Sequence, residues 1–340
     1  MAAHNASDIS EKLIANVNRL PDCCRTYLLH SQSALSLSTR VQYSRDLVMF
    51  FDYLISYNPY FAVMEKKDIT IHDLTKITPD DITIFISKYA KNKNTAARKR
   101  ASLSAFFRFL CANKSLQYNP VEVAIKVKIP ENEHIIYLDE EETQFFMDAV
   151  MHGTGLTDPQ LKYHERYRVR DTAMMALFLS TGIRVSELTN LDIKDIDLER
   201  YCMYVTRKGG NVQMVPFNDS VTMLIEEYLE ERKTRFHAIE MTDPLFTTIK
   251  GERLDPRSVE NLVKKYAIAA LPVKGYQISP HKLRSTFAMT FYRASGHDIL
   301  LTKDFMGHQH IATTNKYAKA TKQEVYDARN LVNPMKKKNT

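Results

Sequence analysis

Several things are scarce in this 340-residue chain, and each shortage excludes something. Glycine (9) and proline (12) are few, which argues against long disordered or low-complexity stretches. Four cysteines, Cys23, Cys24, Cys111 and Cys202, include no Cys-x-x-Cys pair, so a cysteine-rich zinc site is not expected. The adjacent pair Cys23 and Cys24 suits a disulfide poorly, and reduced thiols in an intracellular protein are the simpler reading. No apolar run reaches 18 residues, no secretory pattern opens the chain, and no solenoid-length repeat is present. No Asp/Glu cluster has metal-ligand spacing. The sequence therefore points to a soluble, cytoplasmic protein with no membrane partner and no metal.

What remains is ordinary globular composition, 44% hydrophobic and 26% charged, at a length of about two domains. Forty-seven Lys and Arg against 40 Asp and Glu leave +7, which favours a polyanionic partner. The first third reads as helical. Ser38 is the expected cap of a helix running to about Tyr57, with Tyr43, Leu47, Phe50, Phe51 and Leu54 at helical spacing. Pro79 opens a shorter helix to Tyr89, and Asn94 or Thr95 opens another to about Asn113. Lys88, Lys91, Lys93, Arg98, Lys99, Arg100 and Arg108 meet no acidic residue between them, so this segment suits a DNA backbone, or else a solvated charged face. Residues 1–20 read as flexible or as an oligomerising helix. Residues 126–136, charged and aperiodic, are the expected linker between an N-terminal domain, 1–125, and a second domain, 137–320.

The second domain opens with a helix capped by Asp139. Gly153–Tyr167 reads as a polar loop, and Asp171 as the cap of an apolar helix that Gly182 ends. Tyr201–Thr206 and Val212–Pro216 flank Arg-Lys-Gly-Gly-Asn as a hairpin. Helices follow over about Ser220–Arg235 and Ser258–Ala270, then from Ser279-Pro280 and from Asp298 to Gly307. The expected fold is mainly α with a small antiparallel sheet. A tail, residues 321–340, carries Val325, Ala328, Leu331 and Val332 at helical spacing before Pro334 and Lys336–Lys338.

Taken singly, the candidate site residues are ambiguous. His281 and Arg284 share one face of a helix's first turn. Arg184 could hold an anion or simply pair with Glu187, and His308 suits a helix C-terminus in any case. Together they make chemical sense. Two guanidinium forks fit phosphate oxygens, two imidazoles move protons near neutral pH, and Lys208 stands at a flexible tip. A tyrosine hydroxyl is a weak nucleophile unaided, but a cationic pocket around Tyr317 would stabilise its phenolate and a five-coordinate phosphorane.

The ordered strings Arg170–Leu188, Arg207-Lys208-Gly-Gly, His281-Lys-Leu-Arg284 and Met306-Gly-His308, with Tyr317 nine residues on, resemble the tyrosine recombinase (phage integrase) family of the Xer, Cre and λ integrase enzymes. The likeness is strong over about 135–321 and looser in the N-terminal region, where it implies a SAM-like core-binding domain completing a C-shaped DNA clamp. It implies that Tyr317 attacks a DNA phosphate to form a 3′-phosphotyrosyl link. Arg184 and Arg284 would clamp the non-bridging oxygens. Lys208 would be the general acid, His281 would assist at the tyrosine, His308 would hydrogen-bond the phosphate and Glu187 would orient its neighbours. Lys91, Lys93, Arg98, Lys99, Arg100, Arg108 and Arg207 are the expected DNA contacts. No cofactor is implied. The implied partners are double-stranded DNA with inverted-repeat core sites, a homo-tetramer on two sites with tails docked in trans, and accessory DNA-bending or directionality factors. Integration or excision of a mobile element and Xer-like resolution of replicon dimers remain open. So do type IB topoisomerase-like relaxation and an idle DNA-binding descendant. Asn211 departs from the family, which often has a basic residue there.

Overall fold

The computed structural model describes residues 2–128, 135–207, 210–236, 239–307 and 310–318; the side chains of 2–8, 312 and 316 are not among them. The chain divides into two units, Met1–Glu133 and His134–Thr340.

The first unit is helical: α1 (Ala2–Val17), α2 (Asp22–His30), α3 (Leu37–Tyr57), α4 (Ile71–Leu74), α5 (Pro79–Tyr89), α6 (Lys93–Ala112) and α7 (Pro120–Val123). Its core is aromatic. Phe50 and Phe51 of α3 meet Phe85 of α5 and Phe106 and Phe107 of α6, with Phe50 edge-on to Phe85 at 5.1 Å. Caps lie slightly earlier than the sequence suggests. Ser36, not Ser38, accepts from the Thr39 amide, and Asn92, not Asn94 or Thr95, caps α6. At both sites several polar residues compete for the same role, which blurs the start. The described end of α1 packs on α3, with Leu13 buried and Asn16 Nδ2 donating to Ser44 Oγ at 2.9 Å.

The second unit comprises α8 (Glu140–His152), α9 (Asp158–Thr181), α10 (Val185–Asn190), strands β1 (Ile196–Asp197), β2 (Cys202–Thr206) and β3 (Val212–Pro216), then α11 (Asp219–Phe236), α12 (Pro256–Ala270), α13 (Pro280–Ala294) and α14 (Ile299–Met306). The strands form one antiparallel sheet in the order β1-β2-β3, with Met203 opposite Val215 and Thr206 opposite Val212. Leu177 and Phe178 of α9, Met203 and Val205 of β2, and Val259, Val263 and Tyr266 of α12 lie in one core.

The expected polar loop at Gly153–Tyr167 is mostly helix. From Asp158, α9 runs unbroken to Gly182, and Gln160 Oε1 accepts the Thr157 amide at 3.0 Å to start it. Its first turns are polar because much of that surface faces water, which hides the helical period. Asp171 is consequently not a cap but a buried mid-helix residue. Arg170 Nε donates to its Oδ1 at 2.9 Å and the Tyr266 hydroxyl to its Oδ2 at 2.7 Å, so the buried carboxylate is satisfied. Among the described residues no helix is long and apolar enough to cross a membrane, and no group of three or more His, Cys, Asp or Glu is placed to hold a metal ion.

Candidate active site

Four segment ends of the second unit converge. The end of α9 turns at Gly182, whose φ of +59° suits glycine; a Cβ there would come within 2.5 Å of the Phe287 ring. The chain then delivers Arg184 to the N-cap position of α10 and Glu187 to its first turn. Beta-strand β2 ends beside Arg207, and α14 ends at Gly307.

Glu187 is the hub. It is buried, accepts the Arg184 amide at 2.9 Å, and spreads its oxygens between Arg184 Nη1 and Arg207 Nη1, both at 2.6 Å. Burial alone would push the carboxyl up, but the Arg184 amide and the two guanidiniums outweigh it and hold it below the usual carboxylate range. Arg184 remains two-fifths exposed, whereas Arg207 is almost covered.

Arg284, in the second turn of α13, is buried. Its Nη1 donates to the Gly182 carbonyl and its Nη2 to the Met306 carbonyl at 2.6 Å, so one guanidinium ties the ends of α9 and α14 together. Burial, reinforced by Arg184 and opposed by Glu187, pushes its pKa down to about 10, which leaves it cationic at neutral pH. Tyr317 feels Arg284 electrostatically. It lies in a 3-10 turn, Asn315–Ala318, and packs with Phe287, Ala288 and Met306. His281 is exposed on the first turn of α13, one turn before Arg284. Three guanidiniums against the single carboxylate leave two positive charges uncompensated among these four groups. Such an excess suits a phosphate diester, and better still a dianionic phosphorane. Lys208 and His308 lie outside the described residues, as do residues 321–340 of the tail.

The expected DNA contacts divide. Lys91, Lys93 and Arg108 are exposed on the first unit. Lys99 is not: its ammonium is in the core, 3.2 Å from the buried Asp46, because α3 supplies the counter-charge that the local sequence lacks. Arg98 shares that carboxylate. Arg100 donates to the Ala124 carbonyl at 3.1 Å and so braces α7. Arg207 is committed to Glu187 and to Gln213. A DNA-facing role therefore fails for Lys99 on burial, and Arg207 acts first as an internal brace. Gln213 carries no signal in the sequence, because an amide on a hairpin strand has none there beyond its register.

Family models match over most of the chain. Residues 137–324 match the phage integrase family and residues 26–114 the phage integrase N-terminal SAM-like domain. The chain belongs to the phage integrase family. It is thus a tyrosine recombinase, one of the site-specific recombinases that act by a tyrosine nucleophile. It is 28% identical to the tyrosine recombinase XerS of Lactococcus lactis subsp. cremoris, over 94% of this chain and 98% of that one. It is 31% identical to the tyrosine recombinase XerC of Pelobacter propionicus, over 89% and 93%. Its fold resembles the XerH site-specific recombinase in a post-cleavage complex with a palindromic difH substrate, at TM-score 0.65, 21% identity and coverage of 86% and 79%. The mainly helical fold with its small sheet agrees with the architecture expected from sequence.

Proposed function

We propose that this tyrosine recombinase cleaves and rejoins double-stranded DNA through a 3′-phosphotyrosyl link at Tyr317. The observation that carries the reading is the uncompensated charge of Arg184, Arg207 and Arg284 around Glu187, with Tyr317 in the field of Arg284. The Tyr317 oxygen attacks phosphorus, the P–O bond to the 5′ oxygen breaks, and Lys208 gives that oxygen a proton. Arg184 and Arg284 hold the non-bridging oxygens, His308 hydrogen-bonds the phosphate, and His281 assists proton movement at the tyrosine. The ester conserves the phosphate bond energy, so a 5′ hydroxyl from a partner duplex reverses the step without ATP, and Arg and Lys supply the positive charge the phosphate needs.

Residues 1–125 act as the core-binding domain, with Lys91, Lys93 and Arg108 on phosphates, and 137–320 as the catalytic domain. The enzyme works in the cytoplasm, on the nucleoid, as a tetramer on two inverted-repeat sites, with the tail from 321 docking on a neighbouring subunit. Nearly full-length similarity to XerS and XerC favours resolution of replicon dimers over integration of a mobile element.

The test uses a supercoiled plasmid carrying two copies of a site mapped from covalent cleavage of the DNA flanking this gene. Two recombinant circles support the reading. Relaxation without exchange would instead mark a topoisomerase-like enzyme, and binding without any covalent adduct an idle descendant.

A further inference from the structure

Gln213 occupies a position that neither the core nor simple exposure explains. It lies on β3 between Val212 and Met214, both exposed. Its Oε1 accepts from Arg207 Nε at 3.0 Å, and its Nε2 donates to the Asp304 carbonyl at 3.1 Å, in the last turn of α14. The amide orientation is forced: an arginine Nε only donates and a carbonyl only accepts. Arg207 is held on its other side by Glu187. It also closes the hairpin, donating its amide to the Asn211 carbonyl at 2.8 Å while its own carbonyl accepts from Gly210. Gly307, at φ +61°, sits against this pair; a Cβ there would come within 2.6 Å of Gln213 Oε1 and 2.9 Å of Arg207 Nε.

Arg207 is the residue before Lys208, and Gly307 the residue before His308. One amide therefore links the hairpin base to the end of α14, and through Arg207 both are referred to Glu187 and Arg184. We propose that Gln213 is a positioning residue for strand cleavage, setting the hairpin that carries Lys208 against the segment that carries His308. The inference rests on the recombinase reading above. It also explains why Arg207, next to the general acid, is spent internally: a guanidinium held at Nε and at Nη1 cannot swing. Loss of the Gln213 amide frees one of those two holds, and a displacement of about 1 Å at a reacting group costs on the order of 100-fold in rate.

The test compares Gln213→Met, similar in length but with no donor and only a weak thioether acceptor, with the parent. The readout is single-turnover covalent adduct on a nicked half-site, with either oxygen or sulfur as the 5′ bridging atom. Gln213→Met is expected to cleave the oxygen substrate about 10- to 100-fold more slowly, to bind the half-site within about 2-fold, and to recover most of its rate on sulfur, whose departure needs no proton. Gln213→Glu, which keeps the acceptor for Arg207 and loses the donor to Asp304, is expected between the two; if Gln213→Met does not fold, this variant carries the same comparison. Cleavage at the parent rate, or an equal deficit on both substrates, overturns the inference alone. A parent that forms no adduct, or a Tyr317→Phe control that forms one, overturns the underlying reading as well.

Discussion

Glu187 holds Arg184 with one carboxylate oxygen and Arg207 with the other, both at 2.6 Å. The arginine proposed to meet phosphate, Arg184, is thereby coupled to the base of the hairpin through a single buried group. The arrangement sets the orientation of the partly exposed Arg184 side chain before DNA arrives, so less ordering remains to be done on binding.

Glu187→Gln is expected to destabilise the protein by about 3 kcal/mol at pH 7, since it leaves two guanidiniums without their buried counter-charge. The native carboxyl lies below its ordinary value. Its stabilising contribution is therefore complete above the ordinary carboxylate range and is lost as pH falls through the lower native value. Urea unfolding of parent and variant should differ at pH 7 and converge at acidic pH. A gap that stays constant into acid would contradict the ion-pair role.

The first unit carries a parallel case. Asp46, itself buried, answers both the buried Lys99 and the partly exposed Arg98. Asp46→Ala is expected to cost about 3–5 kcal/mol, because it strands the Lys99 ammonium, whereas Lys99→Met leaves Asp46 paired with Arg98 and costs less. Lys99→Met should also leave the salt dependence of DNA binding unchanged. Arg108→Ala should reduce the salt slope by about one counterion. Equal salt effects from both variants would contradict the division of this basic segment into core and DNA-facing residues.

Lys208→Ala is expected to slow cleavage of ordinary DNA by about 10²–10⁴-fold and to be largely rescued when sulfur replaces the 5′ bridging oxygen. Arg284→Ala should gain little from sulfur, since its proposed partner is a non-bridging oxygen. Arg284 also ties Gly182 to Met306, so its loss lowers the folded fraction. The sulfur-to-oxygen rate ratio within each variant cancels that fraction. Similar ratios for the two variants would sink the assignment.

The tail beyond Thr321 offers a test of assembly. Its apolar stripe of Val325, Ala328, Leu331 and Val332, buried on a neighbour, would contribute by area about 1.5–3 kcal/mol for each large side chain. Truncation after Thr321 should leave half-site binding nearly intact while cooperative assembly on a full site and strand exchange fall together. Undiminished cooperativity, or unfolding of the truncated protein, would contradict docking in trans.

Much of this was readable in the sequence, and for definable reasons. Gly182, Gly307, Asp139 and Asp298 mark helix ends because caps obey local chemistry, and the hairpin strands follow from alternation around a glycine turn. Arg184, Glu187, Arg284 and Tyr317 stood out only as an ordered set; no local property singles out any one of them. What stayed hidden depends on contacts between distant residues. Gly153–Tyr167 reads as a loop because the polar turns from Asp158 onward face water. Lys99 looked like a DNA contact because its counter-charge, Asp46, lies 53 residues away. Gln213 gave no signal because both of its partners are set by the fold.

The most direct measurement is covalent trapping with Tyr317→Phe. Removing one oxygen takes away the proposed nucleophile and little else, so the variant should bind the mapped half-site with the parent's affinity. The parent should give a protein–DNA adduct that survives denaturation, with excess EDTA present, and a phosphotyrosyl peptide spanning Tyr317. The variant should give none. A denaturation-resistant adduct from Tyr317→Phe would contradict the central claim.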